Sequence, residues 1–290
     1  TQFDLIIVHT PISGFICRLA YKKYFKKGAP IIYVTHGFAF SGNNFSKKMK
    51  MFYFAEKLAS NWCSLILTVN KEDFDYASGF KTCNVKYIPG YGVNIEKFLK
   101  SSVDKKTFIK TIGLGNDDIV LTSIGELSPR KNHIAVLRGI DKSKYKSKIV
   151  YLIAGRTIHD ISTETSLIDY AEKHNIRLKL LGFCSNVEDY LHITDIGILP
   201  SLIEGFGFAG IETIASGVPL IGNSTKGIKD YVVDGENGYL IDINDDFKLS
   251  STIDSLIDNP IRLNKQHIYR FSKENALRER FEIFNEFTDI

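Results

Sequence analysis

The chain has 290 residues, 44% of them hydrophobic and 24% charged, with a formal net charge of +4. That length exceeds the usual single domain, so two α/β domains are expected, and the composition is that of an ordinary globular chain able to bury a core. Four scattered cysteines, Cys17, Cys63, Cys83 and Cys184, form no CxxC pair. They read as buried thiols in a reducing compartment and exclude a disulfide framework or a zinc site. No apolar run reaches the ~20 residues that span a bilayer, and the opening TQFDLIIVHT reads as a strand rather than a signal peptide, so the expected location is cytoplasmic.

The elements follow in chain order. DLIIVH (4–9), PIIYVTH (30–36), SLILTVN (64–70) and VKYIP (85–89) are short, β-branched and bounded by turn residues, the pattern of strands. Between them, residues 11–28, 45–62 and 71–80 read as helices. A charged, mixed segment covers 93–118. A second series then runs through IVLTSIG (119–125), KIVYLIAG (148–155), RLKLLGF (177–183), DIGILPS (195–201), VPLIGN (218–223) and GYLID (238–242). Residues 262–288 read as one or two helices rich in Phe and Arg. Uninterrupted apolar strands alternating with helices indicate parallel sheets covered on both faces. The first series holds only four strands and opens without a glycine-rich strand–helix turn, so the first domain is expected to be incomplete. The expected division is 1–95, 96–265 and a C-terminal helix, 266–290, packing back on the first domain.

The strongest chemical signal is ILPSLIEGFGFAGIETIASGVPLI, residues 198–221. A strand ends at Pro200-Ser201, a loop carries Glu204, Gly205, Phe206 and Gly207, and Glu212 lies in the helix that follows. Glycines at a helix start let exposed N–H groups approach a diphosphate, and the helix dipole favours the anion. The flanking carboxylates accept hydrogen bonds from sugar and ribose hydroxyls. The plain alternative is a glycine-rich turn before a buried helix.

This run resembles the E-x7-E signature of glycosyltransferase family 4, from Glu204 to Glu212. HTPISG, THGF, NKEDF, YIPGYGVNIEKF, IGELSPRKN, LGF and DYVVDGENGYL look like further landmarks of that family in the right order, so the resemblance covers essentially the whole chain. It is nearest to the bacterial capsular and exopolysaccharide branch. The implied fold is GT-B, two doubly wound Rossmann-like domains facing a cleft, with ligand beyond the strand C-termini. The first Glu is then expected to contact the donor sugar, the second the ribose, and the backbone of the glycine loop the diphosphate. In Ser123–Asn132, Gly125 and Lys131 match the family, and Lys131 is expected to neutralise the departing diphosphate with Arg130 as a bidentate partner. Glu126 departs from the pattern, standing where an Arg is expected, and must turn away or contact something else. His36, at a first-domain strand end, is implied to contact the sugar near its anomeric carbon; His9 is a secondary candidate. Val187 resembles the position whose backbone reads the nucleobase, and Asn223–Gly227 a loop beside the sugar.

Two tempting features are discounted. Asp73-Phe74-Asp75 is formally a metal-binding D-x-D, but it falls where acidic residues favour a helix N-terminus. Gly113-Leu114-Gly115 lacks a preceding strand and a third glycine. No metal or cofactor is expected. Residues 1–100 hold 14 Lys and Arg against 6 Asp and Glu, a balance of +8 that leaves −4 for the remainder. Lys22, Lys23, Lys26 and Lys27 close one expected helix, and Lys47, Lys48 and Lys50 open another rich in aromatics. This suits an anionic membrane surface; nucleic acid would want aromatics spaced along a groove, which are not found. The resemblance implies a retaining hexosyltransferase that moves a hexosyl or N-acetylhexosaminyl group from a nucleotide-sugar, expected to be a UDP-sugar, to a lipid-linked or oligosaccharide acceptor, peripheral to the inner face of the plasma membrane. A sugar-nucleotide epimerase of the same fold and a truncated, non-catalytic nucleotide-binding partner are the alternatives.

Overall fold

The computed structural model describes residues 3–24, 28–42, 45–100, 103–157 and 161–287, so Lys26 and Lys27 of the basic cluster lie outside the described residues. The chain divides into two compact units, one of residues 1–92, 204–206 and 270–290, the other of 93–203 and 207–269.

The first unit is a parallel sheet in the order β1-β2-β3-β4, built from β1 (Ile6–His9), β2 (Ile31–Val34), β3 (Leu65–Thr68) and β4 (Asn84–Tyr87). Its crossovers are α1 (Pro11–Tyr24), α2 (Lys47–Ala59) and α3 (Lys71–Ser78). Every residue of β2 and β3 is buried, as expected of central parallel strands covered on both faces. Ser46 caps α2 by accepting from the Met49 N–H, and Asn70 caps α3 by accepting from the Asp73 N–H. The Asp73 carboxylate is buried and accepts from the Phe38 N–H at 2.8 Å and the Asn70 amide at 3.0 Å, so the first Asp of the formal D-x-D holds a loop, while Asp75 is exposed.

The second unit opens with α4 (Ile95–Leu99) and α5 (Lys105–Thr111) in the charged segment, each started by an Asn or Asp cap. Its sheet then forms from β5 (Ile119–Ile124), α6 (His133–Lys142), β6 (Ile149–Ala154), α7 (Ser162–Lys173), β7 (Arg177–Gly182) and α8 (Val187–Ile193). It continues through β8 (Ile196–Leu199), α9 (Phe208–Ala215), β9 (Leu220–Asn223), β10 (Gly238–Ile241) and α10 (Asp246–Asp258). All six strands are parallel, in the order β10-β9-β8-β5-β6-β7. The chain ends in α11 (Lys273–Asn285), which belongs to the first unit: Lys86 pairs with Glu286 at 2.5 Å and Arg280 donates to the Gly90 carbonyl at 3.0 Å.

The cysteines differ from expectation, because none is buried: Cys17 is exposed on α1 and the other three are half-buried. Cys63 and Cys83 precede the neighbouring strands β3 and β4, which brings their Sγ atoms to 3.9 Å as free thiols.

The core of the first unit contains a charged pair. Arg18 is fully buried on α1; it donates to Glu56 on α2 at 2.7 Å, and its guanidinium stands 3.9 Å from the Tyr33 ring centroid. Burial raises the Glu56 carboxyl's pKa, against the opposing pull of Arg18. Breaking a buried pair leaves an uncompensated charge, so Arg18→Met is expected to cost about 3–5 kcal/mol at pH 7. The loss should shrink on acidification, since the folded variant takes up the Glu56 proton at a higher pH than the unfolded chain does. Urea unfolding at pH 7 and pH 5 measures both; a wild-type midpoint at pH 7 would contradict the assignment.

Candidate functional site

In the second unit β5 lies between β8 and β6, and the chain leaves β5 toward β6 but β8 toward β9. The loops after β5 and β8 therefore part at a topological switch point, where open parallel sheets bind ligands. After β5, Gly125 adopts φ +156°, a conformation that favours glycine, and a Cβ there would stand 3.2 Å from Lys131 Cε. Pro129–Lys131 form a 3-10 turn. Two hydrogen bonds tie this turn to the β8 loop: the Leu202 N–H donates to the Arg130 carbonyl at 2.9 Å, and Arg130 Nη1 donates to the Ile203 carbonyl at 3.0 Å. Glu126 turns back on its own loop, accepting from Arg130 at 2.9 Å and from the Ser128 hydroxyl at 3.0 Å. Desolvation pushes its carboxyl up, but those bonds outweigh it and hold the pKa below the usual value. Inside the loop, His133 is buried with its pKa pushed down to about 4 by desolvation, and its Nε2 donates to the Glu126 carbonyl at 3.2 Å.

Gly207, at φ +81°, is the N-cap of α9 and has no side chain to cap it. Its carbonyl accepts from the buried Tyr231 hydroxyl at 2.8 Å. Glu212 lies on α9, where burial raises its pKa, Lys97 opposes the rise and Glu188 adds to it. Lys97 of α4 pairs with Glu188 of α8 at 2.9 Å. Val187 is the first residue of α8, beyond β7 and so two strands from Gly125 in the sheet. Asn223 donates to the Ser201 carbonyl at 2.9 Å and so connects the loops after β9 and β8.

In the first unit the ends of all four strands converge. His9 closes β1, and its Nδ1 lies 3.1 Å from Nε2 of His36, which follows β2. The Tyr91 hydroxyl, after β4, lies 3.1 Å from His9 Nδ1 and 3.3 Å from His36 Nε2. Asn70, after β3, donates to the Gly205 carbonyl at 2.9 Å. Residues 204–206 group with this unit, and Gly205 passes so close that a Cβ there would stand 2.0 Å from the His36 carbonyl oxygen. Glu204 is half-buried beside it and Phe206 is buried against Phe271, ring centroids 5.5 Å apart.

The structure thus joins Gly125 with Lys131 and Arg130 with Ile203, and sets Gly205 against His36. It leaves Val187 at a separate strand end. Sequence reasoning did not single out Tyr91, Arg280, Asn70, Lys97 or Glu188. Tyr91 and Asn70 stand within or next to quoted landmarks, whereas no local pattern points to Arg280, 189 residues beyond Tyr91 in the chain.

The sequence profile of glycosyl transferases group 1 matches residues 104–274. EpsD of Bacillus subtilis (strain 168) is 28% identical over 301 aligned residues, covering 100% of this chain and 78% of that protein. The UDP-Gal:alpha-D-GlcNAc-diphosphoundecaprenol alpha-1,3-galactosyltransferase of Escherichia coli is 25% identical, covering 98% of this chain and 72% of the relative. Among solved structures, Anabaena Alr3699/HepE in complex with UDP and glucose superposes with a TM-score of 0.84 at 19% identity, covering 98% of this chain and 78% of that one. The fold is GT-B, two parallel-sheet α/β units.

Proposed function

This chain belongs to the group 1 glycosyl transferases, and from that premise we propose that it is a retaining hexosyltransferase of family 4. It moves a hexosyl or N-acetylhexosaminyl group from a UDP-sugar to a lipid-linked glycan in polysaccharide biosynthesis. The bond from the anomeric carbon to the diphosphate oxygen breaks with its electron pair going to UDP, a bond from that carbon to an acceptor hydroxyl oxygen forms, and the hydroxyl proton passes to the departing UDP oxygen. The observation that carries the reading is the pair of hydrogen bonds fixing the Pro129–Lys131 turn to the loop that leads into α9. It is joined by a glycine at the N-cap of α9, a position where the backbone can approach a phosphate closely. The UDP bound by the Anabaena protein and the diphosphoundecaprenol acceptor named for the Escherichia coli relative support the donor and acceptor classes.

In this reading Lys131 and Arg130 stabilise the leaving diphosphate as charge develops. The backbone of Gly125, Gly205, Phe206 and Gly207 approaches the donor, Glu204 positions the sugar, and Glu212 holds the ribose. The backbone at Val187 meets the base, and His36 completes the sugar site. Glu204 positions the substrate and forms no covalent bond with it. The reaction needs no metal. Lys22, Lys23, Lys47, Lys48 and Lys50 are exposed on α1 and α2 and form the basic face of a peripheral contact with the inner leaflet of the plasma membrane. Among the described residues no helix is long and apolar enough to cross a membrane.

Calorimetric titration with UDP, GDP and ADP in the presence of EDTA should give binding of UDP alone. Lys131→Ala should weaken it by about tenfold, the loss of one charge-assisted phosphate contact. Binding of none of the three by folded protein would defeat the donor assignment. Glu204→Ala should lower UDP release from the preferred UDP-sugar by at least about a hundredfold while the thermal midpoint stays near wild type; near-normal turnover would remove Glu204 from the site. At low salt the protein should co-sediment with vesicles containing phosphatidylserine and be released by high salt. Retention in the supernatant would remove the membrane from its partners.

A further inference from the structure

Four side chains from four elements of the first unit meet around His36, more than sugar contact by one imidazole requires. His9 Nδ1, His36 Nε2 and the Tyr91 hydroxyl form a triangle with edges of 3.1, 3.1 and 3.3 Å. Between two neutral imidazoles one nitrogen donates and the other accepts, and the hydroxyl can do either. Protonating both histidines would turn two N–H groups toward each other, so the arrangement suits neutral rings.

The triangle is held from one side by aromatic stacking. Tyr91 lies nearly parallel to the His36 ring, with centroids 5.3 Å apart and an interplanar angle of 8°. The Arg280 guanidinium stands 3.9 Å from the Tyr91 centroid, and its Nη2 is anchored to the Gly90 carbonyl at 3.0 Å. A guanidinium stacked on a phenol ring and bonded to the adjoining backbone removes the ring's freedom to swing away. We propose that Arg280, on α11, is a positioning residue for His36: it clamps Tyr91, and Tyr91 fixes the plane of the imidazole and the direction of Nε2. The proposal rests on the reading that His36 is required for sugar transfer.

The electrostatics agree with this arrangement. Burial, then His9, then Arg280 lower the pKa of His36, and burial followed by Arg280 lowers that of His9. The charged groups that shift His36 are His9 on β1 and Arg280 on α11, with Tyr91 after β4 in contact and Glu204 beside Gly205. Asp73 on α3 is turned to the Phe38 N–H and Asn70. The Arg280 cation thus favours the neutral form of the ring, which exchanges hydrogen bonds with a sugar hydroxyl without bringing charge to the anomeric centre.

The test combines NMR of ring-labelled histidines with UDP release from UDP-glucose, UDP-galactose and UDP-N-acetylglucosamine. In the wild type the His36 Cε1–H resonance should be displaced upfield by the Tyr91 ring and titrate below the ordinary histidine range. Arg280→Lys keeps the charge but loses the planar clamp. It should abolish most of that displacement and lower kcat by about tenfold, with the donor KM within about twofold of wild type. Tyr91→Phe should keep the ring displacement and alter only the titration. Tyr91→Ala should resemble Arg280→Lys, and the double variant should be no worse than either alone, because both break one connection. An unchanged His36 resonance in Arg280→Lys, or losses that multiply in the double variant, would overturn the proposal. His36→Ala separates the two readings. An inactive His36→Ala beside an unaffected Arg280→Lys sinks only the positioning role, and a fully active His36→Ala removes both.

Discussion

Parallel pairing is the constraint on which the rest of this molecule depends. Each crossover must carry the chain back to the edge where the previous strand began, so every strand delivers its carboxyl end to the same edge. In the first unit that edge collects His9, His36, Asn70 and Tyr91 from the ends of β1 to β4. In the second it collects Gly125, Gly155, Gly182, Pro200 and Ser224 from five of six strands. The sheets themselves have no room for chemistry, because β2, β3, β6, β8 and β9 are buried throughout. The central strands are occupied by packing, which leaves the strand ends, His9 among them, and the loops beyond as the accessible surface of each sheet.

At those loops the backbone is fixed more tightly than the exposed side chains suggest. A Cβ on Gly155 would stand 1.8 Å from the Gly125 carbonyl oxygen, so the turns after β5 and β6 touch through main chain alone. Gly207, held from below by the Tyr231 hydroxyl, has no side chain with which to cap α9 itself. Both contacts fix the course of the backbone through carbonyl groups inside the loops, independently of the exposed side chains. The cost is strict local sequence: glycine is required where the chains touch, and a buried tyrosine must find its carbonyl partner.

The strands and most helices were legible in the sequence because apolar runs of the right length, broken by Gly and Pro, are a local property. IIYV and LILT read as central strands and are fully buried. The helices α4 and α5 were not separated from the charged segment around them. At five and seven residues they are too short to develop a periodic face. Of the candidate site, the glycine loop and the strand-end histidines were legible by motif, whereas the partner that completes them was not. Arg280 reaches Tyr91 only because α11 packs back on the first unit, and such a contact leaves no trace in spacing along the chain. The cysteines were misread for the opposite reason: a residue type that is usually buried carries no information about which face of α1 it occupies.

Glu126 shows how far a departure from a family pattern can mislead when read as a single charge. A carboxylate where a cation is expected would oppose a diphosphate if it faced one, at a cost of about 4 kcal/mol for unit charges 4 Å apart at an effective dielectric of 20. Here Glu126 bonds Arg130 and Ser128 within its own turn, and His133 fixes its carbonyl from the interior. The Glu126–Arg130 pair is close to neutral as seen from outside the loop, so the carboxylate adds little net negative charge beside Gly125. The pair is also partly exposed, with side-chain accessibilities of 44% for Arg130 and 28% for Glu126, so it is worth no more than about 1 kcal/mol. The Ile203 carbonyl accepts from the same guanidinium through Nη1 at 3.0 Å, so two bonds, and not Glu126 alone, set its position. The acidic residue therefore acts inside its own turn: it helps set where the guanidinium rests, and its charge is met there by Arg130 and Ser128.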